Sequence, residues 1–238
     1  MRIDTLTVKG LSKRYGAHRA LAGVDLTVRA GKLCALLGAN GAGKSTLLGI
    51  LSTLIRPSAG SVVYSGDGTP CVPGDRLRRR IGLLAHDSFL YGELSGLENL
   101  LFYGRLFGLE DPGQRARAAL EGAGLDERAW GRPARTYSRG MVQRLALARA
   151  LVHDPEVLLF DEPFTGLDGA AAAALVASLG GARASGRLVL VVTHDVRAIA
   201  GLVDHVAVLR RGRLAHDEAR ATPFDHGALA NVYEEHLE

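Results

Sequence analysis

Hydrophobic positions along this chain follow two spacings, one typical of strands and one typical of helices. Near the N-terminus, apolar and polar residues alternate over Thr5–Lys9 and Ala22–Val28, as in strands with one buried face. The later runs Val157–Phe160 and Leu188–Val192 are apolar throughout, which is typical of parallel strands covered by helices on both faces. The pattern predicts an antiparallel β layer and an α/β core whose parallel sheet is flanked by helices.

Between these strand blocks, from about Ser95 to Val152, the apolar residues adopt a helical spacing, clearest over Arg115–Gly122 and Met141–Leu151. We therefore predict a single domain with an inserted α-helical subdomain. The predicted boundaries are 1–87 and 153–215 for the catalytic core with its β layer, 88–152 for the helical subdomain, and 216–238 for a polar C-terminal tail.

A phosphate-binding pattern lies between the apolar strand Leu33–Leu37 and a predicted helix over Ser45–Leu54. Glycines at 38, 41 and 43 allow backbone N–H groups to wrap around phosphate oxygens, where a Cβ atom would collide or a positive φ is needed. The helix N-terminus adds a partial positive charge. The sequence thus predicts a nucleoside triphosphate site formed by Gly38, Ala39, Asn40, Gly41, Ala42, Gly43, Lys44, Ser45 and Thr46.

Polar residues follow two of the predicted core strands. Asp161 and Glu162 come at the end of one strand, and His194 follows the next. Since parallel strands end at the edge where open α/β sheets bind ligands, these side chains are expected to converge on the phosphates. Asp161 would hold Mg²⁺, Glu162 would polarise the attacking water, and His194 would contact the γ-phosphate. Each residue alone also fits a turn or a structural role.

A second candidate anion site lies in the helical block, where Ser138 and Gly140 precede the helix that contains Leu145–Leu151. The simpler interpretation is a serine N-cap with a glycine in the turn. The functional one is a helix N-terminus that binds phosphate. Because this segment belongs to the insertion, a second copy of the protein could supply it to the same nucleotide.

Composition narrows the possible functions. The net charge is +4, only four of the 29 basic residues are lysines, and the one tight cluster, Arg78–Arg80, has no interleaved aromatic residues for stacking on bases. No apolar run approaches the ~20 residues that span a bilayer, and the N-terminus lacks a secretory pattern. We expect a cytoplasmic protein without a nucleic acid partner.

Taken in order, these motifs resemble the nucleotide-binding subunit of ATP-binding cassette (ABC) transporters, over nearly the whole chain to about Arg213. The resemblance implies an ABC ATPase fold with a RecA-like P-loop core, and an ATP hydrolase that uses ATP and Mg²⁺. In that family two subunits close head to tail around two ATP molecules. We accordingly expect a homodimer, or a heterodimer with another ATPase subunit, peripheral on the inner face of the cell membrane and bound to integral membrane permease subunits.

The resemblance also implies roles for individual residues. Tyr15 would stack on adenine, the P-loop with Lys44 would bind the phosphates, and Ser45 would join Asp161 as a Mg²⁺ ligand. The remaining matches are Glu162 as the catalytic base, His194 as the switch histidine, Ser138 and Gly140 in the signature loop, and Asp168 in the D-loop.

Two segments depart from the family pattern. The signature loop has Tyr137, Arg139 and Met141 at three of its five positions. His86 stands where the family places a lid glutamine. It could replace the glutamine through a ring nitrogen, with a charge that varies near neutral pH, or lie exposed on the loop.

The segment after His86 also resembles the haem exporter ATP-binding subunit of cytochrome c maturation systems. Export of another substrate, such as a drug or a lipid, is the alternative. A soluble ABC ATPase acting on DNA or ribosomes would usually carry paired cassettes or coiled coils, and this sequence shows neither. A regulatory module that binds ATP without turnover would not need Glu162 and His194, so their presence argues against that alternative. We expect the apolar residues Phe89, Leu90, Tyr91 and Leu94 to receive a short helix of a membrane subunit, unless they pack against the insertion's own helices.

Overall fold

The computed structural model describes residues 2–237, and the elements below are those of this range. The strands are β1 (Thr5–Tyr15), β2 (His18–Arg29), β3 (Leu33–Leu37), β4 (Ala59–Gly66), β5 (Thr69–Pro70), β6 (Ile81–Leu84), β7 (Val157–Asp161), β8 (Leu188–Val192), β9 (His205–Arg210) and β10 (Arg213–Ala219). The helices are α1 (Lys44–Leu51), α2 (Asp75–Arg78), α3 (Gly96–Leu106), α4 (Pro112–Gly122), α5 (Arg139–Leu151), α6 (Gly169–Ala184), α7 (Val196–Ile199) and α8 (His226–Leu237).

The N-terminal layer is an antiparallel sheet with strand order β2-β1-β4-β5. Its inward face follows the alternation seen in the sequence, since Val24, Leu26 and Val28 of β2 are buried and the residues between them are exposed. The predicted antiparallel layer is confirmed.

The core sheet has six strands in the order β10-β9-β3-β8-β7-β6. Strands β6 to β9 and β3 pair in parallel, and every residue of β3, β7 and β8 is buried. Two apolar clusters cover the opposite faces of this sheet. The carboxyl ends of the central strands therefore meet at one edge, beside the start of α1.

The C-terminal region differs from the predicted polar tail. It contains β10, which pairs antiparallel with β9, and α8, whose Leu229 and Val232 are buried together with Phe224. The sequence pattern did not reveal these two elements, because β10 is an edge strand with one exposed face and α8 has only a narrow apolar side. The core sheet is thus mixed, with one antiparallel edge strand.

Helices α3, α4 and α5 form the inserted block around a third apolar cluster that includes Leu100, Leu120 and Leu145. Ser95 begins α3 with a capping box to Glu98. Buried Asn99 holds the preceding loop, because its side-chain amide donates to the carbonyls of Tyr91 and two further loop residues and accepts from the Tyr91 N–H. Across residues 2–237, every helix is too short or too polar to cross a membrane.

Candidate nucleotide site

The P-loop joins the end of β3 to the start of α1, so its N–H groups surround a helix N-terminus. Gly38, Gly41 and Gly43 all have positive φ values, at 140°, 80° and 107°. A Cβ atom on Gly38 would overlap the carbonyl of Leu209, and one on Gly43 would lie 2.6 Å from the carbonyl oxygen of Ala20. Both glycines are therefore required by backbone conformation and by packing.

Lys44 is folded back onto its own loop. Its Nζ donates to the carbonyl oxygens of Gly38 at 2.7 Å and Ala39 at 3.0 Å. Burial lowers the pKa of Lys44, and the neighbouring carboxylates of Glu162 and Asp161 oppose that shift. The ammonium group therefore lies at the cleft with donors that a phosphate could recruit.

The predicted metal residues are in direct contact. The Ser45 hydroxyl donates to Oδ2 of Asp161 at 2.9 Å, bridging α1 and β7. Burial is the main cause that raises the pKa of the Asp161 carboxyl, and the hydrogen bond from Ser45 opposes it. A hydroxyl and a carboxylate oxygen side by side are ligands suited to Mg²⁺. In the part of the chain that the structure describes, no group of three or more His, Cys, Asp or Glu side chains forms a self-sufficient metal site.

Glu162 and His194 also meet. Nδ1 of His194 lies 2.9 Å from Oε2 of Glu162, and the Glu162 N–H donates to the carbonyl of Val192 at 2.8 Å. Glu162 has a φ of 47°, a left-handed conformation that costs a non-glycine residue about 1–3 kcal/mol and persists only where neighbours enforce it. The strained backbone turns the carboxylate toward the cleft at the end of β7.

One open cleft of about 400 Å³ is lined by Lys44, Ser45, Asp161 and Glu162, whereas His194 is outside its lining and contacts Glu162. Its walls are Tyr15, His18, Ala20, Asn40, Gly41, Gly43, Lys44, Ser45, Thr46, His86, Asp161 and Glu162. Tyr15 is about half exposed there. Burial raises the pKa of Asp161, and His86 is close enough to oppose part of that rise. The sequence prediction missed His18, which pairs with Tyr15 across the β1–β2 turn; the short hairpin was the available signal.

The signature residues lie outside this cleft. The Ser138 hydroxyl accepts the Met141 N–H at 3.3 Å, as an N-cap of α5. Asp168 caps α6 by accepting from Ala171 and forms an ion pair with Arg144 at 2.5 Å. The Ala171 N–H is the main cause that lowers the pKa of Asp168, and Arg144 adds to it.

The glycine of the signature loop serves close packing. A Cβ atom on Gly140 would lie 2.8 Å from the Gly166 carbonyl oxygen, in the turn between Glu162 and Asp168. Gln143, one turn into α5, donates to the Pro163 carbonyl at 3.0 Å. This segment is therefore tied to the backbone that follows Glu162, while Ser138 faces solvent.

Comparison with known proteins gives a consistent assignment. The model of the ABC transporter family matches residues 21–165. The chain is 42% identical over 215 residues to the daunorubicin resistance ATP-binding protein of Streptomyces coeruleorubidus, covering 90% of this chain and 68% of that protein. It is 39% identical over 212 residues to the Nod factor export ATP-binding protein I of Ralstonia nicotianae, covering 87% and 65%.

An import protein is similarly related. The methionine import ATP-binding protein of Caulobacter vibrioides is 37% identical over 231 residues, covering 94% of this chain and 69% of that protein. The chain thus spans about two thirds of the length of these curated relatives.

Solved structures agree with the fold. An ATP-binding subunit of an ABC transporter superimposes with a TM-score of 0.84 at 29% identity, covering 97% of this chain and 98% of that one. A dimeric ATP-binding cassette bound to ADP and phosphate gives a TM-score of 0.81 at 28% identity, covering 90% and 98%. The chain therefore belongs to the ABC transporter family, has the ABC ATPase fold and is an ABC-type ATPase.

Proposed function

We propose that this chain is the ATP-hydrolysing subunit of an export complex, dimerising around two ATP molecules and driving a separate membrane permease. The observation that carries the proposal is that Lys44, the Ser45–Asp161 pair and Glu162 line one cleft, with His194 in contact with Glu162. Phosphoryl transfer needs a cation, ligands for a metal ion and a positioned carboxylate, because its catalysis depends on positioning and charge stabilisation. This site supplies the carboxylate together with an imidazole.

In this proposal the nucleotide lies across the cleft from Tyr15 to Glu162. The ring of Tyr15 provides the stacking face for the base, and the P-loop amides with Lys44 hold the phosphates. Mg²⁺, with Ser45 and Asp161 as protein ligands, would neutralise charge on the phosphate oxygens. The oxygen ligands fit this ion, since Mg²⁺ commonly takes one or two protein oxygens together with substrate phosphates.

Glu162 is the proposed base toward the attacking water, and His194 is the residue that orients it. The 2.9 Å contact from Nδ1 of His194 fixes one carboxylate oxygen, and the strained φ of Glu162 fixes the direction of its side chain. His86 reaches the same cleft from the end of β6. We assign it the lid position toward Asp161 and the metal.

The dimer is proposed from the position of Ser138 and Asp168. Both lie outside the cleft of their own chain and use their side chains to cap helices. A head-to-tail second copy would present the N-terminus of α5, with Ser138 and Gly140, to the γ-phosphate, where its N–H groups suit an anion. The similar cassette solved as a dimer with ADP and phosphate supports this arrangement.

The membrane partner is proposed to bind an apolar surface that we call the docking patch, formed by Phe89, Tyr91, Leu94, Phe102 and Leu106. Tyr91 and Leu106 are 50% and 58% exposed, and the Tyr91 ring packs edge-on against Phe102 at 5.0 Å. Leu94, Phe102 and Leu106 line a shallow groove. Leu90, which was expected in this surface, instead packs inward against two of the apolar clusters.

Co-purification tests the docking patch. Leu94→Asp and Tyr91→Ala should release the cassette from detergent-solubilised membranes, because each removes apolar contact area, while nucleotide binding persists. The matched control is Leu54→Ala, which changes a leucine that is 60% exposed outside the patch. Retention of the membrane subunit by Leu94→Asp would contradict this assignment.

Export is preferred for the direction of transport because two of the relatives above carry drug-resistance and export names. Co-expression with the membrane proteins encoded beside it, followed by transport into inside-out vesicles, tests the proposal. An exporter should accumulate an amphipathic drug such as daunorubicin in an ATP-dependent manner that Glu162→Gln abolishes. Uptake only into right-side-out vesicles would identify an importer.

Haem export stays a prediction based on the resemblance of the His86 loop; none of the relatives above is named as a haem exporter. Deleting the gene provides its test. Loss of covalently bound haem in c-type cytochromes, seen by haem staining of gels, would support it. Normal cytochrome levels would contradict haem export and leave a drug or a lipid as the exported substrate.

A further inference from the structure

Arg149 of α5 and His153, two residues beyond the end of that helix, bond to the free edge of the core sheet. Among the strands of residues 2–237, β6 pairs only with β7, so the carbonyls of Ile81 and Leu83 face away from the sheet. Arg149 Nη2 donates to the Leu83 carbonyl at 2.6 Å, and His153 Nε2 lies 3.1 Å from the Ile81 carbonyl. These basic side chains occupy the place of a neighbouring strand. The strand that leads to His86 is thereby attached to the helix that Ser138 begins.

Arg149 also contacts the docking patch. Its guanidinium carbon lies 5.4 Å from the centre of the Phe89 ring and 5.5 Å from that of Tyr103, distances at which a cation is attracted to an aromatic face. The residue is 8% exposed, and its Nε has no hydrogen-bond partner within residues 2–237. Burial lowers the pKa of Arg149. Burying a cation with one N–H donor unpaired destabilises the fold, so Arg149 is expected to do more than fill space in the core.

Phe89 is held in an unfavourable conformation at this contact. Its φ is 54°, in the left-handed region where a bulky residue is an outlier. The Tyr103 hydroxyl donates to the Phe89 carbonyl, and Arg149 packs against its ring. Because such strain persists only where surrounding contacts enforce it, Tyr103 and Arg149 set the position of this loop.

We propose that Arg149 is a positioning residue that ties the docking patch to the lid strand and to the signature helix. A partner that displaces Phe89 would shift β6, with His86 at its end, and α5, with Ser138 at its start, through one side chain. The inference rests on the proposed function of the docking patch and adds the path from that patch to the nucleotide site.

Limited proteolysis with chymotrypsin tests the tie in the full chain without nucleotide. In Arg149→Met, cleavage after Phe89 and Tyr91 should accelerate about tenfold, since proteolysis follows the population of the opened loop. The matched control is His153→Leu, which loses the bond to the same strand and the stacking on Phe107 but no contact with Phe89. It should lower the Tm while leaving the loop protected.

Two further variants keep the test decisive if Arg149→Met folds poorly. Tyr103→Phe removes only the hydroxyl that holds the Phe89 carbonyl, and it should also accelerate cleavage at the loop. Arg149→Lys retains the charge and one donor, and it should restore part of the protection. Equal cleavage in Arg149→Met, His153→Leu and wild type, or acceleration that simply follows the Tm, would overturn the proposal.

Steady-state ATP hydrolysis provides a second readout. Arg149→Met should lower kcat and leave the KM for ATP unchanged, because Tyr15 and the P-loop are untouched while His86 and Ser138 lose their alignment. A change in KM alone would overturn the proposal. The proteolysis needs no nucleotide, so it tests this inference separately from the proposed function. A loop that stays protected in Arg149→Met would contradict the inference. An inactive wild type that shows the expected cleavage pattern would contradict only the proposed function.

Discussion

The catalytic half and the signature half of this cassette are held in opposite ways. In the catalytic half, side chains bond to one another across elements: Ser45 to Asp161 and His194 to Glu162. In the signature half, the Ser138 and Asp168 side chains face solvent and bond to backbone N–H groups of their own helices, and the contact between elements is a surface ion pair from Asp168 to Arg144. The side chains of the catalytic half are therefore held in position by one another before a ligand binds. The side chains of the signature half serve as helix N-caps.

This difference indicates where the free energy of assembly is needed. The catalytic half already bears the cost of a strained Glu162 and a buried Asp161 carboxylate, so ATP meets a largely organised surface. The signature half presents the N–H groups of a helix N-terminus, which favour an anion. Closing the dimer would bring the two together, and the following experiments separate their contributions.

The largest effect is expected from Glu162→Gln. Removing the proposed base should lower kcat by about 10²–10⁴-fold, while ATP binding persists because Lys44 and the P-loop are unchanged. The variant should therefore accumulate as an ATP-bound dimer, measured by size-exclusion chromatography. The control, Glu127→Gln, changes an exposed glutamate outside the cleft. Full hydrolysis by Glu162→Gln would show that the base lies elsewhere.

A mixing experiment tests whether the two halves come from different copies. Ser138→Arg disables the signature half and Glu162→Gln the catalytic half, so each pure variant should be inactive. An equal mixture should regain about a quarter of wild-type hydrolysis, since half of head-to-tail dimers are mixed and each contains one intact composite site. A mixture that stays inactive at every ratio would contradict the composite site.

The catalytic half was predictable because its signals are local. The glycine spacing of the P-loop and the polar residues after Val157–Phe160 and Leu188–Val192 define strand ends directly. Parallel pairing then brings these ends to one edge without further information. The fold was predicted for the same reason, apart from β10 and α8, whose apolar residues are too few to stand out from a polar segment.

The contacts that depend on packing were not predictable. His18 enters the cleft only through the register of the β1–β2 hairpin. Arg149 looks like one more arginine in a chain rich in them, and arginine is mostly exposed; its burial against Phe89 follows from how α5 packs on the free edge of β6. Left-handed conformations at Phe89 and Glu162 likewise carry no sequence signal, since neither residue is a glycine.

A smaller effect, confined to the catalytic half, is expected at the base-binding end of the cleft. Tyr15→Ala should weaken ATP binding about tenfold, within the ~1–3 kcal/mol that stacking of a base on an aromatic ring contributes. Tyr15→Trp preserves the aromatic face and should bind like wild type. Isothermal titration calorimetry with Glu162→Gln as the background avoids turnover. Unchanged affinity of Tyr15→Ala would place the base elsewhere, with His18 as the next candidate.

The smallest effect concerns the cost borne by the catalytic half before it binds a ligand. Burial raises the pKa of Asp161 above its ordinary 3.8, with Glu162 adding to the shift. The carboxyl therefore holds its proton more tightly in the folded chain, and its ionisation destabilises the fold at every pH above the raised value. Asp161→Asn removes that ionisation and should raise the Tm by a few degrees near neutral pH.

The sign of the pH dependence makes this prediction specific. The advantage of Asp161→Asn should shrink as the pH falls through the raised pKa and vanish below 3.8, because the wild-type carboxyl is then neutral as well. Thermal unfolding of the nucleotide-free protein measures it, with exposed Asp87→Asn as the control. Adding Mg²⁺ and ATP should reverse the order, since only the wild type supplies the carboxylate. If the Tm difference between Asp161→Asn and wild type does not change with pH, ionisation of Asp161 does not destabilise the fold. The catalytic half would then be no better organised for its ligand than the signature half.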